Sequence, residues 1–319
     1  MKTLAVSIPT YKRPELLGRC LEALAKQCIT RGVEIYVFDD SCSDINGKVY
    51  EKLVPLYPNI QVKINTRNLG IDKNIDQCIT VPQSGYVWVI GEDDLVENGA
   101  IDLILDRIES VHPEYMFVNY QYISNNYDRK LDVAIPEMVD RAYAAVVFFE
   151  KNGWATGFLG ANIVNKKNWD SKCVDYLGTY FNHVGKIFSA LDPSDEITAI
   201  TKPIIFNRAE SLNSFSWLHE CFEVMEGFGC MTDSLGRSKP IWENYAKRCL
   251  VNYNNKINFM SYKSLLVLRA HGVYNIQKYQ KHIAGLNKSK LYLLISILPI
   301  DLLNKTYNIF KNFKKIYHE

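Results

Sequence analysis

Short apolar runs alternate with helix-like stretches over the first 120 residues, and this alternation limits the possible folds more than any other feature. Leu4–Ile8, Val33–Phe38, Ile60–Asn65, Tyr86–Ile90 and Tyr115–Asn119 read as strands. Between them lie Pro14–Ala25, with proline in its first turn, a run from the polar turn Asp39–Asn46 to about Leu56, then Ile71–Thr80 and Gly99–Ile108. Strands separated by helices of about 10–12 residues need right-handed crossovers, which predicts an α/β fold with a mostly parallel sheet flanked by helices. Ligands of such sheets bind beyond the carboxyl ends of the strands. Those ends carry Pro9-Thr10-Tyr11, Asp39-Asp40, Arg67-Asn68 and Glu92-Asp93-Asp94, so one edge of the sheet is polar throughout.

The acidic stretch is the most informative of these ends. Carboxylates packed this tightly repel one another unless a cation or a ligand's hydrogen-bond donors sit between them. Gly91 at the strand exit lets the backbone turn sharply, so that two or three carboxylates face one point. A divalent ion held there with open coordination positions suits a diphosphate. The same stretch also fits a helix N-cap, because Asp94 precedes the helix-like run Gly99–Glu109 and acids are favourable near helix N-termini.

With 319 residues, 47% apolar and 23% charged, the chain has the composition of an ordinary globular protein: one large domain, or a core domain with a smaller appendage. A net charge of +2 gives no electrostatic ground for nucleic-acid binding. The eight cysteines are scattered without a Cys-x-x-Cys pair, which argues against a zinc site or a disulfide framework and fits a reducing cytoplasm. The N-terminus runs directly into a strand pattern with no signal-peptide signature. No apolar run reaches the roughly 18–20 residues that span a bilayer. The expectation is a cytoplasmic chain, peripheral to a membrane at most.

Residues 121–208 are less regular and hold Trp154–Gly160, a helix-like Tyr176–Ala190 and a strand-like Ile197–Phe206. Beyond Glu210 the chain reads as helices, with lysine and arginine increasingly in excess. Leu291–Ile300, continued by Leu302, Leu303, Ile309 and Phe310, is bordered by Lys288, Lys290, Lys305, Lys311, Lys314 and Lys315. An apolar face with a lysine border can lie in the headgroup region of an anionic inner leaflet. It can equally pack on the protein's own core with its lysines solvated. The membrane surface is the expected partner.

Four motifs carry a resemblance. The first strand ends in Ser7-Ile8-Pro9-Thr10-Tyr11-Lys12-Arg13-Pro14, and the second in Val37-Phe38-Asp39-Asp40-Ser41-Cys42-Ser43-Asp44. Asn68-Leu69-Gly70 follows the third, with Asn74 in the next helix, and Gly91-Glu92-Asp93-Asp94 follows the fourth. In this order and spacing, over about residues 1–120, they resemble family 2 glycosyltransferases with the GT-A fold. The resemblance implies a GT-A domain over 1–210, with nucleotide-sugar binding in 1–120 and the acceptor side in 121–210. A helical region with a basic amphipathic tail would fill 211–319. It also implies metal-dependent transfer of a sugar from a nucleotide-diphosphate sugar to a hydroxyl. Within the family, Trp88–Asp94 with Phe158–Ile163 and the Tyr-Phe-x-His of 180–183 is similar to abequosyltransferases and related enzymes of bacterial O-antigen and surface-polysaccharide synthesis. That narrower likeness implies a polyprenyl-diphosphate-linked glycan acceptor at the cytoplasmic face of the inner membrane.

Carried onto this sequence, the resemblance gives Pro9, Thr10, Tyr11, Arg13, Asp39, Asn68, Gly70, Asn74 and Asp93 to the donor nucleotide. Asp94, Asp93 and Glu92 would hold Mg²⁺ or Mn²⁺, which neutralises charge on the leaving diphosphate. Tyr11 can stack on a base or remain a surface aromatic. Asp39 can accept the imino N–H of uracil, thymine or guanine, whereas cytosine has none, and abequose itself is carried by cytidine, so the base stays open. Asp40 and Asp44 can instead cap the next helix. Gly91 stands where the family often has aspartate; Glu92 compensates through a Glu-x-Asp pairing or points elsewhere. Family members often place the general base in a Glu-Asp pair, which residues 170–190 lack, leaving Asp175 and His183 as candidates. A histidine near its ordinary pKa works as a base at neutral pH, and a buried one does no chemistry. Two other functions are compatible with parts of the pattern. A sugar nucleotidyltransferase needs a glycine-rich loop after the first strand, and Pro9–Pro14 has no glycine. A non-catalytic glycan-binding or scaffold protein on the same fold fits Gly91 and the missing acidic pair, and is opposed by Asp39, Asp93 and Asp94.

Overall fold

The computed structural model describes residues 2–124, 126–171, 175–209, 218–258, 260–286, 290–301 and 303. The N-terminal half alternates as expected: β1 (Lys2–Thr10), α1 (Pro14–Thr30), β2 (Glu34–Asp39), α2 (Gly47–Leu53), β3 (Ile60–Ile64), α3 (Ile71–Thr80) and β4 (Ser84–Val89). A two-residue strand β5 (Leu95–Val96), α4 (Ala100–Val111) and β6 (Tyr115–Ser124) follow. Next come β7 (Lys130–Val133), β8 (Ala142–Ala144), α5 (Ala145–Asn152), β9 (Asn162–Asn165), α6 (Lys166–Ser171), α7 (Asn182–Ala190) and β10 (Glu196–Ala209).

These strands form one sheet in the order β3-β2-β1-β4-β9-β6-β10-β5, with β7 beside β6 and β8 beside β10. β1 pairs in parallel with β2 and β4, β2 with β3, and β6 with β10. Only four residues long, β9 runs antiparallel to both β4 and β6. Its neighbours therefore point the same way, and β1, β2, β4, β6 and β10 all end on one edge. In the centre, Leu4-Ala5-Val6-Ser7-Ile8 is buried without a break, as a strand covered on both faces requires. Trp88 on β4 is fully buried and donates its indole N–H to the Gly160 carbonyl at 2.8 Å, which holds the loop before β9 against the sheet. Helix α1 buries Leu17, Leu21, Leu24 and Cys28, a stripe at helical spacing.

Two expectations change. The helix expected over Tyr176–Ala190 begins only at Asn182, because the chain before it turns through Gly178 (φ +83°) and Tyr180 (φ +65°). Asp94 does not cap the next helix: α4 starts after Gly99 with no side-chain cap, and β5 intervenes.

The chain forms two compact units, residues 1–209 with 227–252, and residues 210–226 with 253–319. The later helices are α8 (Cys221–Ser238), α9 (Glu243–Ile257), α10 (Tyr262–Ala270), α11 (Ile276–His282) and α12 (Lys290–Ile297). In the first unit, Trp242 meets Phe149 edge-on at 5.5 Å between ring centres, and Phe149 lies 4.3 Å from Phe188. The second unit is built on Phe222, Leu265, Leu268, Tyr274, Ile283, Tyr292 and Ile295. Ser261 caps α10 and Asn275 caps α11 through their side-chain oxygens. α12 puts Tyr292 and Ile295 into that core and leaves Leu291, Leu294 and Ile297 exposed at 42, 50 and 57%. Lys288, Leu302, Lys305, Ile309, Phe310, Lys311, Lys314 and Lys315 lie outside the described residues. Among the described residues no helix is long and apolar enough to cross a membrane.

Candidate active site

The exit of β1 is tied to the acidic turn. The Tyr11 amide donates to Glu92 Oε2 at 3.0 Å, and Arg13 reaches Asp93 Oδ2 at 3.2 Å and Glu92 Oε1 at 3.5 Å. Lys12 takes a positive φ of 56° and its amide donates to Ser41 Oγ, linking this loop to the end of β2. The Tyr11 ring is 46% exposed, with the Lys12 ammonium 4.9 Å from its centre. Pro9 lies on β1 in register with Phe38, and buried Thr10 beside Asp39.

Asp39 and Asp40 are both buried and both engaged. Asp39 accepts from the Ser41 amide, the Asn46 side chain and the Tyr50 hydroxyl at 2.7–2.8 Å. Its carboxylate, expected at a base imino group, fixes residues 41–50. Asp40 accepts from the amides of Leu69 and Gly70 and from Asn65, so it holds the Asn68-Leu69-Gly70 loop in place. Gly70 at φ +77° occupies backbone space that favours glycine. Asn74 was expected on the nucleotide. Its buried side chain donates to the Phe38 carbonyl and accepts from Asn65 and Gln77, tying α3 to β2.

In the turn itself, Asp94 Oδ2 accepts the Gly91 amide at 3.0 Å. A Cβ at position 91 would come within 2.8 Å of that oxygen, which explains the glycine. Burial, then the charge on Asp93, pushes the Asp94 carboxyl well above the usual carboxylate range. Glu92 was expected on the metal, but it folds back onto the end of β1, where burial raises its carboxyl to about 7 against hydrogen bonds from Thr10 and the Tyr11 amide and the charge of Arg13. Asp93 is the accessible acid: Arg13 stands on one side, Arg208 lies 3.8 Å away, and the Tyr127 hydroxyl donates to its carbonyl. Among the described residues, no three or more His, Cys, Asp and Glu side chains come together as a metal ligand set. Mg²⁺ usually takes one or two carboxylates and completes its shell with water and substrate phosphates, so Asp93 and Asp94 fit such an ion while Glu92 adds no third ligand.

At the turn before α7, Asp72 from the start of α3 is a residue the sequence motifs did not mark. Its carboxylate accepts four backbone amides, from Gly178, Thr179, Tyr180 and Asn182, and so holds the strained turn before α7. No local signal marks it, since its partners lie more than 100 residues away. His183 is 3% exposed with Nε2 at 3.2 Å from the Thr156 carbonyl, and burial lowers its pKa to about 4. It is a neutral imidazole at physiological pH. Asp175 has 60% of its side chain exposed, with Lys186 at 3.6 Å.

These features have relatives. The family model for glycosyl transferase family 2 matches residues 5–173, more than half of the chain. The chain belongs to this family. The abequosyltransferase RfbV of Salmonella typhimurium strain LT2 is 23% identical over 240 residues, spanning 65% of this chain and 67% of that protein. Among solved structures, residues 1–349 of S. aureus TarS in complex with UDP-GlcNAc superpose with a TM-score of 0.65 at 14% identity, covering 95% of this chain and 84% of that one. The mannosyltransferase PcManGT from Pyrobaculum calidifontis, in complex with GDP-Man and Mn²⁺, gives a TM-score of 0.51 at 13% identity, covering 92% and 85%. At such identities the likeness is one of fold, and it is the expected GT-A fold with added C-terminal helices. In this family 2 glycosyltransferase the matched span contains the loops after β1, β2, β3 and β4, whereas Asp175, His183 and Arg208 lie beyond it.

Proposed function

We propose that this glycosyltransferase moves one sugar from a nucleoside-diphosphate sugar to a hydroxyl of a lipid-linked glycan in bacterial O-antigen or surface-polysaccharide synthesis. The observation that carries this reading is the junction at Asp93, where the ends of β1, β4 and β10 bring a carboxylate and two guanidinium groups together on the ligand-binding edge of the sheet. The nucleotide lies between the loops of Pro9–Arg13 and Asn68–Gly70, with the exposed Tyr11 ring offered to the base. Asp39 shapes this pocket through the loop it holds, so cytidine stands beside uridine, guanosine and thymidine as a donor base.

Asp93, with Asp94 behind it, would hold Mg²⁺ or Mn²⁺, and the ion would supply charge neutralisation at the leaving diphosphate. The Mn²⁺ bound with GDP-Man in the Pyrobaculum calidifontis mannosyltransferase supports that assignment by analogy of fold. Of the two base candidates we favour Asp175, whose side chain is exposed, over His183, which is buried and neutral. Likeness to an abequosyltransferase supports the polysaccharide setting. The exposed leucines of α12 beside Lys290 support docking at the cytoplasmic face of an anionic membrane.

The test is calorimetry of uridine, guanosine, thymidine and cytidine diphosphates with and without Mn²⁺, on the parent and on Asp93→Asn. One diphosphate should bind in a metal-stimulated way, with affinity reduced about tenfold or more in the variant. Equal binding by both proteins counts against the placement of the site.

A further inference from the structure

Arg208 is the last described side chain of β10 and has no part in the sequence motifs, yet the sheet delivers it to the acidic turn with fixed geometry. β5 pairs antiparallel with β10 through Val96 with Ile205 and Leu95 with Phe206. Asp93 stands in the turn two residues before Leu95, and Arg208 two residues after Phe206, so the paired ends bring the two close. The contact is seen: Arg208 Nη2 lies 3.8 Å from Asp93 Oδ2. β10 also shifts its register against β6 between Ile200 and Ile205, before these last residues of the strand.

Asp93 Oδ2 already receives Arg13 Nη1 at 3.2 Å, a hydrogen bond. Arg208 stands beyond hydrogen-bond distance from the same oxygen, so the two cations share one carboxylate oxygen. A diphosphate offers more charge and several oxygens, and a planar guanidinium matches phosphate in a bidentate way. The Arg208 side chain is 13% exposed, seated against the turn.

We propose that Arg208 binds the diphosphate of the donor: it rests on Asp93 in the empty enzyme and turns onto phosphate oxygens when the nucleotide enters. Arg208 is thus a second phosphate ligand, beside Arg13 and supplied by the opposite end of the sheet. This rests on the donor reading above.

The test is calorimetry with Mn²⁺ on the parent, Arg208→Ala, Arg208→Gln and Arg208→Lys. Each is titrated with uridine, guanosine, thymidine and cytidine diphosphates and with the matching monophosphates. Losing a charge-assisted contact should weaken the bound diphosphate by about 10- to 100-fold in the alanine and glutamine variants. The lysine variant should recover part of the loss, and monophosphate binding should change by no more than about threefold, since most of the contact is to the missing phosphate. The glutamine variant keeps a long polar stem on β10, so it carries the test if the alanine variant does not fold. Undiminished diphosphate binding overturns the proposal, and so does an equal loss for mono- and diphosphate, which marks a structural role. Failure of the parent itself to bind any diphosphate is a different result: it removes the donor reading, and this inference with it.

Discussion

A carboxyl buried beside two others carries an energetic cost, and Glu92 makes that cost measurable. Burial raises its pKa from 4.5 to about 7. Between these values the unfolded chain releases a proton that the folded protein keeps, so stability falls as pH rises through this window and the loss is complete above it. His183 acts in the opposite sense: its pKa is lowered from 6.5 to about 4, and its contribution is present above 6.5 and lost as pH falls toward 4. Comparing Glu92→Gln with the parent at each pH cancels the histidine. The glutamine still offers an oxygen to the Tyr11 amide, so the variant should gain stability relative to the parent as pH goes from 5 to 8, by roughly 1–3 kcal/mol for a shift of this size. Urea unfolding at the two pH values reads the difference directly. A gap between variant and parent that does not change with pH contradicts the account of Glu92.

At the scale of elements, the parallel strands were legible because burial on both faces leaves an unbroken apolar run, as in Leu4–Ile8 and Tyr86–Ile90. The short strands were not. β5 has two residues and β9 four, too few to set up a period, and both owe their conformation to partners distant in the chain. The candidate site divides in the same way. Loops at the ends of β1 to β4 could be read from residue types and order, including Arg13, Asp93 and Asp94. What each side chain touches could not. Asp39, Asn74 and Glu92 have the expected residue types, and each is buried with hydrogen bonds to protein groups distant in sequence or on neighbouring elements. Asp72 and Arg208 were invisible because their roles come from register and long-range closure, and a lone aspartate or arginine carries no pattern. The expected helix over 176–190 failed at its first turn for a related reason, since four amides gathered on Asp72 stabilise a strained turn that helical periodicity does not encode.

For the whole molecule the question is where it works. Apart from Lys290 and Ser296 α12 is apolar, and its Tyr292 and Ile295 side is taken up by the core of its own unit. Removing the chain from Leu286 onward would therefore take away part of that core along with the exposed face. The triple substitution Leu291→Ser, Leu294→Ser and Ile297→Ser separates the two. Each exposed side chain is worth on the order of 1–2 kcal/mol if it is buried in the interface. The parent should float with vesicles containing phosphatidylglycerol and not with neutral vesicles, and the triple variant should stay behind while still binding nucleotide. Unchanged flotation of the variant contradicts docking through α12.

The most direct test of the central claim is release of nucleoside diphosphate from a panel of nucleotide sugars, with Mn²⁺ present or chelated, by the parent, Asp93→Asn and Asp175→Asn. Slow, metal-stimulated hydrolysis of one donor is expected in the absence of acceptor, and its loss in Asp93→Asn. Once an acceptor glycan is supplied, Asp175→Asn should slow transfer by about 10²–10⁴-fold, as loss of a general base does. Release at the parental rate by Asp93→Asn, or no release from any nucleotide sugar by the parent, would contradict a donor site at this edge of the sheet.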